Sequence, residues 1–179
     1  MGELLEKIKT KKAKIGIVGL GYVGLPLALE FVRSGYCVTG IDKNKERVES
    51  LKKGTSYVID VKSEDIAQFI EKGLFRVTDD TSVLSTLDAI SICVPTPLTK
   101  TKDPDMSYII NVSQEVKNYL HKDQLFILES TTYPGTTEEL VLPMLAEGGL
   151  TVGKDFYLAF SPERIDPGNK RYSVKNIPK

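Results

Sequence analysis

The stretch KIGIVGLGYVG, residues 14–24, decides the fold. It begins with a largely apolar run typical of a buried strand, and the three glycines of a G-x-G-x-x-G pattern follow directly. Apolar residues then recur at helical spacing, at Leu25, Ala28, Leu29 and Val32. A lone glycine pattern is weak, but its position between a strand and a helix predicts the first βαβ unit of a parallel sheet.

Each glycine of this motif has a physical reason. Gly19 permits the tight turn, Gly21 lets the backbone approach a pyrophosphate, and Gly24 lets the helix pack closely on the strand. The free N–H groups and partial positive charge of the helix N-terminus favour the phosphates. The turn therefore predicts a dinucleotide site, and we expect Tyr22 and Val23 to contact the cofactor together with the glycines.

An acidic residue, Asp42, ends the second predicted strand. Its carboxylate can accept hydrogen bonds from both hydroxyls of an adenosine ribose and would repel a 2′-phosphate, so the sequence predicts NAD rather than NADP. We interpret Lys43 and Lys45 as the solvated start of the next helix. Arg47 is better placed to lie along the adenine or the ribose.

Short apolar runs alternate with helical patterns along the chain. The runs are KIGIVG (14–19), CVTGID (37–42), FRVT (75–78), AISICV (89–94), LFILES (125–130) and FYLAFS (156–161). Strand–helix alternation of this kind predicts an α/β fold: a single Rossmann domain with a doubly wound, mostly parallel sheet in the order 3-2-1-4-5-6. We expect a charged segment at 1–13, the domain at 14–161, and at 162–179 the start of a connection to a further half.

Several local features carry further expectations. Gly35 is a C-cap candidate, residues 54–63 read as a loop, and Thr136 with Glu139 has capping-box spacing. Pro143 lies inside the helical pattern that follows, which predicts a kink or an early stop.

The remaining candidates for chemistry are few. Cys37 and Cys93 both lie in apolar runs, so we interpret them as buried, reduced thiols. His121, the only histidine, is expected at the surface without a role. We predict no metal site.

Composition excludes several classes of partner. Lys plus Arg and Asp plus Glu both number 24, so no excess of basic charge favours nucleic acid or an anionic membrane. The amino terminus lacks the apolar centre of a signal peptide, and the longest uncharged run, residues 15–29, is too short to span a bilayer. We therefore expect a cytoplasmic protein.

Three further motifs follow the last three predicted strands. They are VPTP (94–97), ESTTYPGTT (129–137) and SPER (161–164). The carboxyl ends of parallel strands form the ligand crevice of such sheets. We therefore expect Val94, Thr96, Ser130 and Thr131 to contact a cofactor in this crevice, which Glu163 also borders.

Taken together, these segments resemble the UDP-glucose/GDP-mannose dehydrogenase family. The resemblance covers almost the whole chain, and the segments GLGYVGLPLA (19–28), CVPTPL (93–98), ESTTYPGTTEE (129–139) and LAFSPERIDPGN (158–169) agree with it in order and spacing. The longer forms ESTTYPGTT and SPERIDPGN look like the branch that acts on UDP-N-acetylhexosamines, such as UDP-N-acetylglucosamine or UDP-N-acetylgalactosamine.

The resemblance implies oxidation of the sugar's terminal hydroxymethyl group to a carboxylate in two steps that use two NAD. It also implies a nucleophilic cysteine in a second half of the enzyme, and neither Cys37 nor Cys93 has that context. Thr131 and Glu163 carry over as supporting catalytic residues, the latter for substrate contact and thioester hydrolysis. Pro167 departs from the second glutamate of UDP-glucose enzymes.

Alternatives remain within and outside this family. Within it, the alternative substrates are UDP-glucose and UDP-N-acetylmannosamine. Residues 1–179 do not distinguish them, because the second half of such enzymes builds most of the sugar pocket. The alternative from a non-catalytic class is a stand-alone NAD-binding module, since residues 1–179 hold no complete set of nucleophile and base. The resemblance further implies a homodimer or higher homo-oligomer for the full-length enzyme.

Overall fold

Six parallel strands form one sheet in the order β3-β2-β1-β4-β5-β6. A computed structural model describes residues 2–164 and 176–178 of the chain. The strands are β1 (Lys14–Val18), β2 (Cys37–Ile41), β3 (Phe75–Thr78), β4 (Ala89–Ile92), β5 (Leu125–Leu128) and β6 (Tyr157–Phe160). Each lies within one of the six predicted runs, and the predicted Rossmann order is confirmed.

The helices alternate with these strands. They are α1 (Gly2–Lys9), α2 (Gly24–Arg33), α3 (Lys45–Lys52), α4 (Ser63–Glu71), α5 (Ser107–Lys117) and α6 (Leu142–Ala146). A 3₁₀ helix spans Thr81–Thr86, and a π-helical segment spans Thr136–Val141. Among the described residues, no helix has both the length and the apolar character needed to cross a membrane.

Different helices bury the two faces of the sheet. Ile15 and Ile17 belong to a buried cluster with apolar residues of α2, α3 and α4. Ile90 and Phe126 belong to a second cluster with residues of α5 and α6. Because strand side chains alternate between faces, both sets of helices bury side chains of one continuous sheet, as the nearly unbroken apolar runs predict.

The register of the sheet brings its functional loops to one level. Val18 of β1 is aligned with Ile41 of β2 and Ile92 of β4, and Ile92 is in turn aligned with Leu128 of β5. The segments that follow these strands therefore begin side by side at the carboxyl edge of the sheet.

The first helix closes the opposite edge. The ammonium of Lys7 lies 2.9 Å from Asp88 Oδ1, and Asp88 Oδ2 accepts a 2.8 Å hydrogen bond from the backbone N–H of Lys14. The hydrogen bond that the Lys7 ammonium donates to the Asp88 carboxylate raises the pKa of Lys7, and the Glu3 carboxylate adds to the effect. The Tyr36 hydroxyl donates to the carbonyl of Ile8 at 3.0 Å, so α1 is joined to the sheet at several points.

Several local predictions are confirmed. Gly35 has a φ of +93° directly after the C-cap of α2, and the predicted loop leads into α4 at Ser63. Pro143 lies in the first turn of α6, where the helix type changes from π to α, and α6 ends at Ala146. Cys93 is buried as expected.

Three local predictions are wrong. Cys37 is exposed, because it is the first residue of β2 and lies at the rim of the sheet. Thr136 does not cap a helix: its hydroxyl donates to the carbonyl of Tyr133 at 2.8 Å, and Gly135, with a φ of +91°, occupies the N-cap position. His121 is half-buried, with Nε2 3.1 Å from the carbonyl oxygen of Leu87.

The glycine-rich turn provides a matched test of packing. A Cβ on Gly24 would lie 1.8 Å from the carbonyl oxygen of Gly19, whereas a Cβ on Gly21 meets no atom within 4 Å. We expect Gly24→Ala to lower the free energy of unfolding by about 1–3 kcal/mol or more, because the added methyl overpacks the turn. Gly21→Ala should change it by less than about 0.5 kcal/mol. Equal urea midpoints for the two variants would contradict this.

Candidate cofactor cleft

A cleft of about 600 Å³ opens at the carboxyl edge of the sheet, where the strand order reverses between β1 and β4. Ligands of open α/β sheets bind at such a reversal. The cleft brings together all but one of the predicted site residues, namely Gly19, Gly21, Tyr22, Val23, Asp42, Arg47, Val94, Thr96, Ser130, Thr131 and Glu163. Gly24 does not line it and is buried beneath the turn.

Packing explains two of the three glycines. Gly19 has a φ of +92°, and a Cβ there would lie 2.5 Å from the carbonyl oxygen of Cys93. Gly24 cannot carry a Cβ because of the same turn's backbone. Gly21 has open space where its Cβ would be, so no protein atom requires a glycine at this position. The open space leaves room for a ligand to approach the backbone of the turn, and the residues present fit a pyrophosphate there.

Asp42 holds the glycine-rich turn in place. It is only 9% exposed, and its Oδ2 accepts a 2.8 Å hydrogen bond from the backbone N–H of Leu20. Its Oδ1 accepts from the N–H of Asn44 at 2.9 Å, and the Asn44 side chain caps α3 by accepting from the N–H of Arg47. A carboxylate has about four acceptor positions, so Asp42 retains capacity for the hydroxyls of a ribose.

The opposite side of Leu20 is held by Tyr57. The Tyr57 hydroxyl donates a 2.6 Å hydrogen bond to the Leu20 carbonyl. The guanidinium of Arg47 lies 5.5 Å from the centre of the Tyr57 ring and 3.7 Å from Asp42 Oδ2. Burial raises the pKa of Tyr57, the charge of Asp42 raises it further, and Arg47 opposes both effects. Tyr57 therefore stays protonated and serves as a donor.

Hydroxyls at the ends of β4 and β5 join the two loops on the other side of the cleft. Thr96 donates to the carbonyl of Thr131 at 2.6 Å, and Ser130 donates to the carbonyl of Val94 at 2.8 Å. The two loops thus hold each other in position. Thr96 and Ser130 line the cleft with their hydroxyls bonded to backbone carbonyls, while Thr131 is exposed on the cleft wall.

Several polar residues of the cleft wall were not predicted from the sequence, among them Glu129, Tyr108 and Glu115. Glu129 is 5% exposed and accepts a 3.1 Å hydrogen bond from the Ser91 hydroxyl. Its place at the end of a predicted strand was a signal that could have found it. Tyr108 and Glu115 lie on α5, far in sequence from the glycine motif, and no motif marks them.

The third strand-end motif is described only in part. Glu163 is half-buried and lines the cleft. Pro167 and the rest of the SPERIDPGN segment beyond Arg164 lie outside the described residues. Among the residues that the structure describes, no group of three or more His, Cys, Asp or Glu side chains is arranged to hold a metal ion.

Comparison with known proteins agrees with this architecture. Residues 13–179 match the NAD-binding domain of the UDP-glucose/GDP-mannose dehydrogenase family. The chain belongs to this family. Its members are NAD-dependent nucleotide-sugar dehydrogenases, so the expected cofactor and the resemblance are both confirmed at the level of the family.

Individual relatives share this domain. The chain is 40% identical over 169 residues to the UDP-N-acetyl-D-glucosamine 6-dehydrogenase of Salmonella typhi, covering 94% of this chain and 39% of that protein. It is 37% identical to the UDP-N-acetyl-D-mannosamine dehydrogenase of Pyrococcus horikoshii, covering 87% of this chain and 37% of that protein. The chain therefore spans less than half the length of these relatives.

Solved structures give the same result. An NDP-N-acetyl-D-galactosaminuronic acid dehydrogenase from Methanosarcina mazei superimposes with a TM-score of 0.80 at 37% identity, covering 94% of this chain and 38% of that one. The Pyrococcus horikoshii UDP-D-ManNAc dehydrogenase superimposes with a TM-score of 0.81 at 37% identity, covering 87% of this chain and 37% of that one.

Tyr57 predicts a pH-dependent contribution to stability. Tyr57→Phe removes the hydrogen bond to Leu20 and should lower the free energy of unfolding by about 1 kcal/mol at pH 8. Because the folded state raises the pKa of Tyr57, this contribution is complete below the unfolded tyrosine pKa of about 10. Above it the unfolded chain loses the proton first, so the contribution falls as pH rises.

The measurement is urea unfolding of the wild-type chain and Tyr57→Phe between pH 8 and pH 11. Tyr36→Phe, which removes a similar bond to the Ile8 carbonyl away from the turn, controls for the loss of a hydroxyl at pH 8. If the difference in free energy of unfolding between wild type and Tyr57→Phe grew with pH, Tyr57 would not be the protonated donor to Leu20 assigned here.

Proposed function

We propose that this chain forms the cofactor domain of an enzyme that oxidises a UDP-N-acetylhexosamine to its uronic acid in two NAD-dependent steps. The observation that carries the proposal is the cleft at the strand reversal, with open space at Gly21 beside the buried carboxylate of Asp42. The ESTTYPGTT and SPERIDPGN segments support this branch of the family. The relative from Salmonella typhi, named for UDP-N-acetyl-D-glucosamine, supports it as well.

A second candidate substrate is UDP-N-acetylmannosamine. The relative from Pyrococcus horikoshii, named for that sugar, is 37% identical to this chain, close to the value for the glucosamine enzyme. Purified full-length enzyme supplied with each UDP-sugar, and with UDP-glucose, would decide between them by the rate of NADH formation.

The cleft residues divide into those for each end of the cofactor. The turn at Gly19, Gly21, Tyr22 and Val23, with Gly24 at the start of α2 supporting it, would hold the pyrophosphate at the helix N-terminus. Asp42 would accept from the adenosine ribose and Arg47 would lie along the adenine.

The loops after β4 and β5 would border the nicotinamide, through Val94, Thr96, Ser130 and Thr131. When bound, NAD supplies the hydride acceptor. The mutual hydrogen bonds of these loops would keep the ring oriented toward the sugar, which lowers the entropic cost of reaction.

Thr131 and Glu163 are proposed as supporting catalytic residues. Both line the cleft on the side away from Asp42, at the ends of β5 and β6. An unactivated hydroxyl is a poor base, so Thr131 would act through a neighbour, whereas Glu163 would contact the substrate and assist hydrolysis. We propose that residues 14–161 form the NAD-binding domain and that residues 162–179 begin the connection to a substrate-binding half.

Binding of NAD is tested at Gly21. A valine at Gly21 places its side chain in the open space of the cleft and should abolish NAD binding while leaving the fold intact. Gly148→Val is the matched control, since a Cβ at Gly148 also meets nothing within 4 Å but lies outside the cleft. Calorimetry should detect NAD binding to the wild-type chain and to Gly148→Val only. Normal binding by Gly21→Val would contradict the proposed phosphate site.

Catalysis by the proposed enzyme needs a nucleophile that these residues do not supply. Cys93 is buried next to the glycine-rich turn, and Cys37 lies at the opposite end of the sheet. We expect residues 1–179 alone to bind NAD but to form no NADH with any UDP-sugar, and the whole gene product to form two NADH per sugar.

In that full-length enzyme, Glu163→Gln should slow hydrolysis of the thioester more than it slows the first oxidation. The expected signature is a burst of NADH followed by slow turnover, measured by stopped-flow absorbance. Steady NADH formation by the 179-residue chain would show that the nucleophile lies within it and would contradict the proposal.

A further inference from the structure

Two cations lie next to Asp42, and both are held by partners. The guanidinium of Arg47 lies over Tyr57 and 3.7 Å from Asp42 Oδ2. The ammonium of Lys43 lies 2.5 Å from Glu115 Oε1. Lys43 was interpreted from the sequence as part of a solvated helix start, and its side chain is exposed as expected while it also pairs with Glu115.

The Lys43–Glu115 pair reaches across the cleft. Lys43 follows β2 on one side of the strand reversal, and Glu115 belongs to α5, which lies between β4 and β5 in the chain. Both residues line the cleft, and Lys43 is the neighbour of the carboxylate proposed to bind the ribose. The pair therefore lies at the adenosine end of the site.

A cation near the adenosine ribose favours a cofactor that carries a 2′-phosphate. Related folds that bind NADP place a basic side chain where it meets the 2′-phosphate. Here Lys43 could serve in that way, because its four-carbon side chain is flexible and 64% exposed. The ion pair with Glu115 would prevent this, because the carboxylate holds the ammonium by charge attraction.

We propose that Glu115 is a specificity-determining residue that favours NAD over NADP by holding Lys43 away from the 2′ position. This inference rests on the proposed binding of NAD in the cleft. It assigns to α5 a part in cofactor choice that is otherwise attributed to the end of β2 alone.

A purely structural role predicts a different behaviour. Partly exposed ion pairs contribute little to stability, so loss of this pair should leave the fold unchanged. Lys117, the last residue of the same helix, forms a comparable pair at 2.7 Å with Glu147 at the end of α6, and neither of these residues lines the cleft. Glu147→Gln therefore removes an equivalent charge and ion pair without touching the site.

The experiment measures dissociation constants of NAD and NADP by calorimetry for the wild-type chain, Glu115→Gln, Glu147→Gln and the double variant Lys43→Gln/Glu115→Gln. We expect Glu115→Gln to shift the ratio of the NADP and NAD dissociation constants by about fivefold in favour of NADP binding, the size of one exposed ionic interaction. Glu147→Gln should leave the ratio unchanged. The double variant should lose the shift, and added salt should reduce it.

The outcomes separate this inference from the proposed function. If the wild-type chain binds NAD and Glu115→Gln leaves the ratio unchanged, the role of Glu115 is overturned and the NAD site stands. A shift that persists without Lys43 would also overturn it, because the mechanism requires that ammonium. If the wild-type chain binds neither cofactor, the proposed function fails and this inference fails with it.

Discussion

The hydrogen bond from the Leu20 backbone N–H to Asp42 Oδ2 is the constraint on which the site depends. It joins the turn after β1 to the end of β2, so the shape of the glycine-rich turn is determined by a residue of the neighbouring strand. Tyr57 holds the same peptide from its carbonyl side. One carboxylate thus shapes the proposed phosphate site, and in the proposed function the same carboxylate would select the ribose.

The register of the sheet brings the turn after β1 and the end of β2 close enough for one carboxylate to serve both. The same register ends β1, β2, β4 and β5 at one level, and the reversal of strand order leaves a gap that the loops border rather than fill. On one side of the gap the turn is held by Asp42, and on the other the loops after β4 and β5 are held by their own hydroxyls. Hydrogen bonds within the protein therefore hold the loops on both sides of the cleft.

Much of this was determined by the sequence. Unbroken apolar runs predicted strands covered on both faces, and the glycine spacing placed a sharp turn before a helix, because both patterns follow from local chemistry. Gly19 and Gly24 needed only backbone geometry for their prediction, and Asp42 needed only its distance from the motif. Eleven of the twelve proposed site residues accordingly meet in one cleft.

Only the tertiary structure decided which partners those residues have. Glu115 lies 72 positions beyond Lys43, and Tyr57 lies 37 beyond Leu20, and no local pattern records that such residues meet. The same reason explains the errors at Cys37 and Thr136: one lies at the rim of its strand, and the other directs its hydroxyl backward to Tyr133. Periodicity determines which elements form, whereas burial and charge pairing depend on how those elements pack.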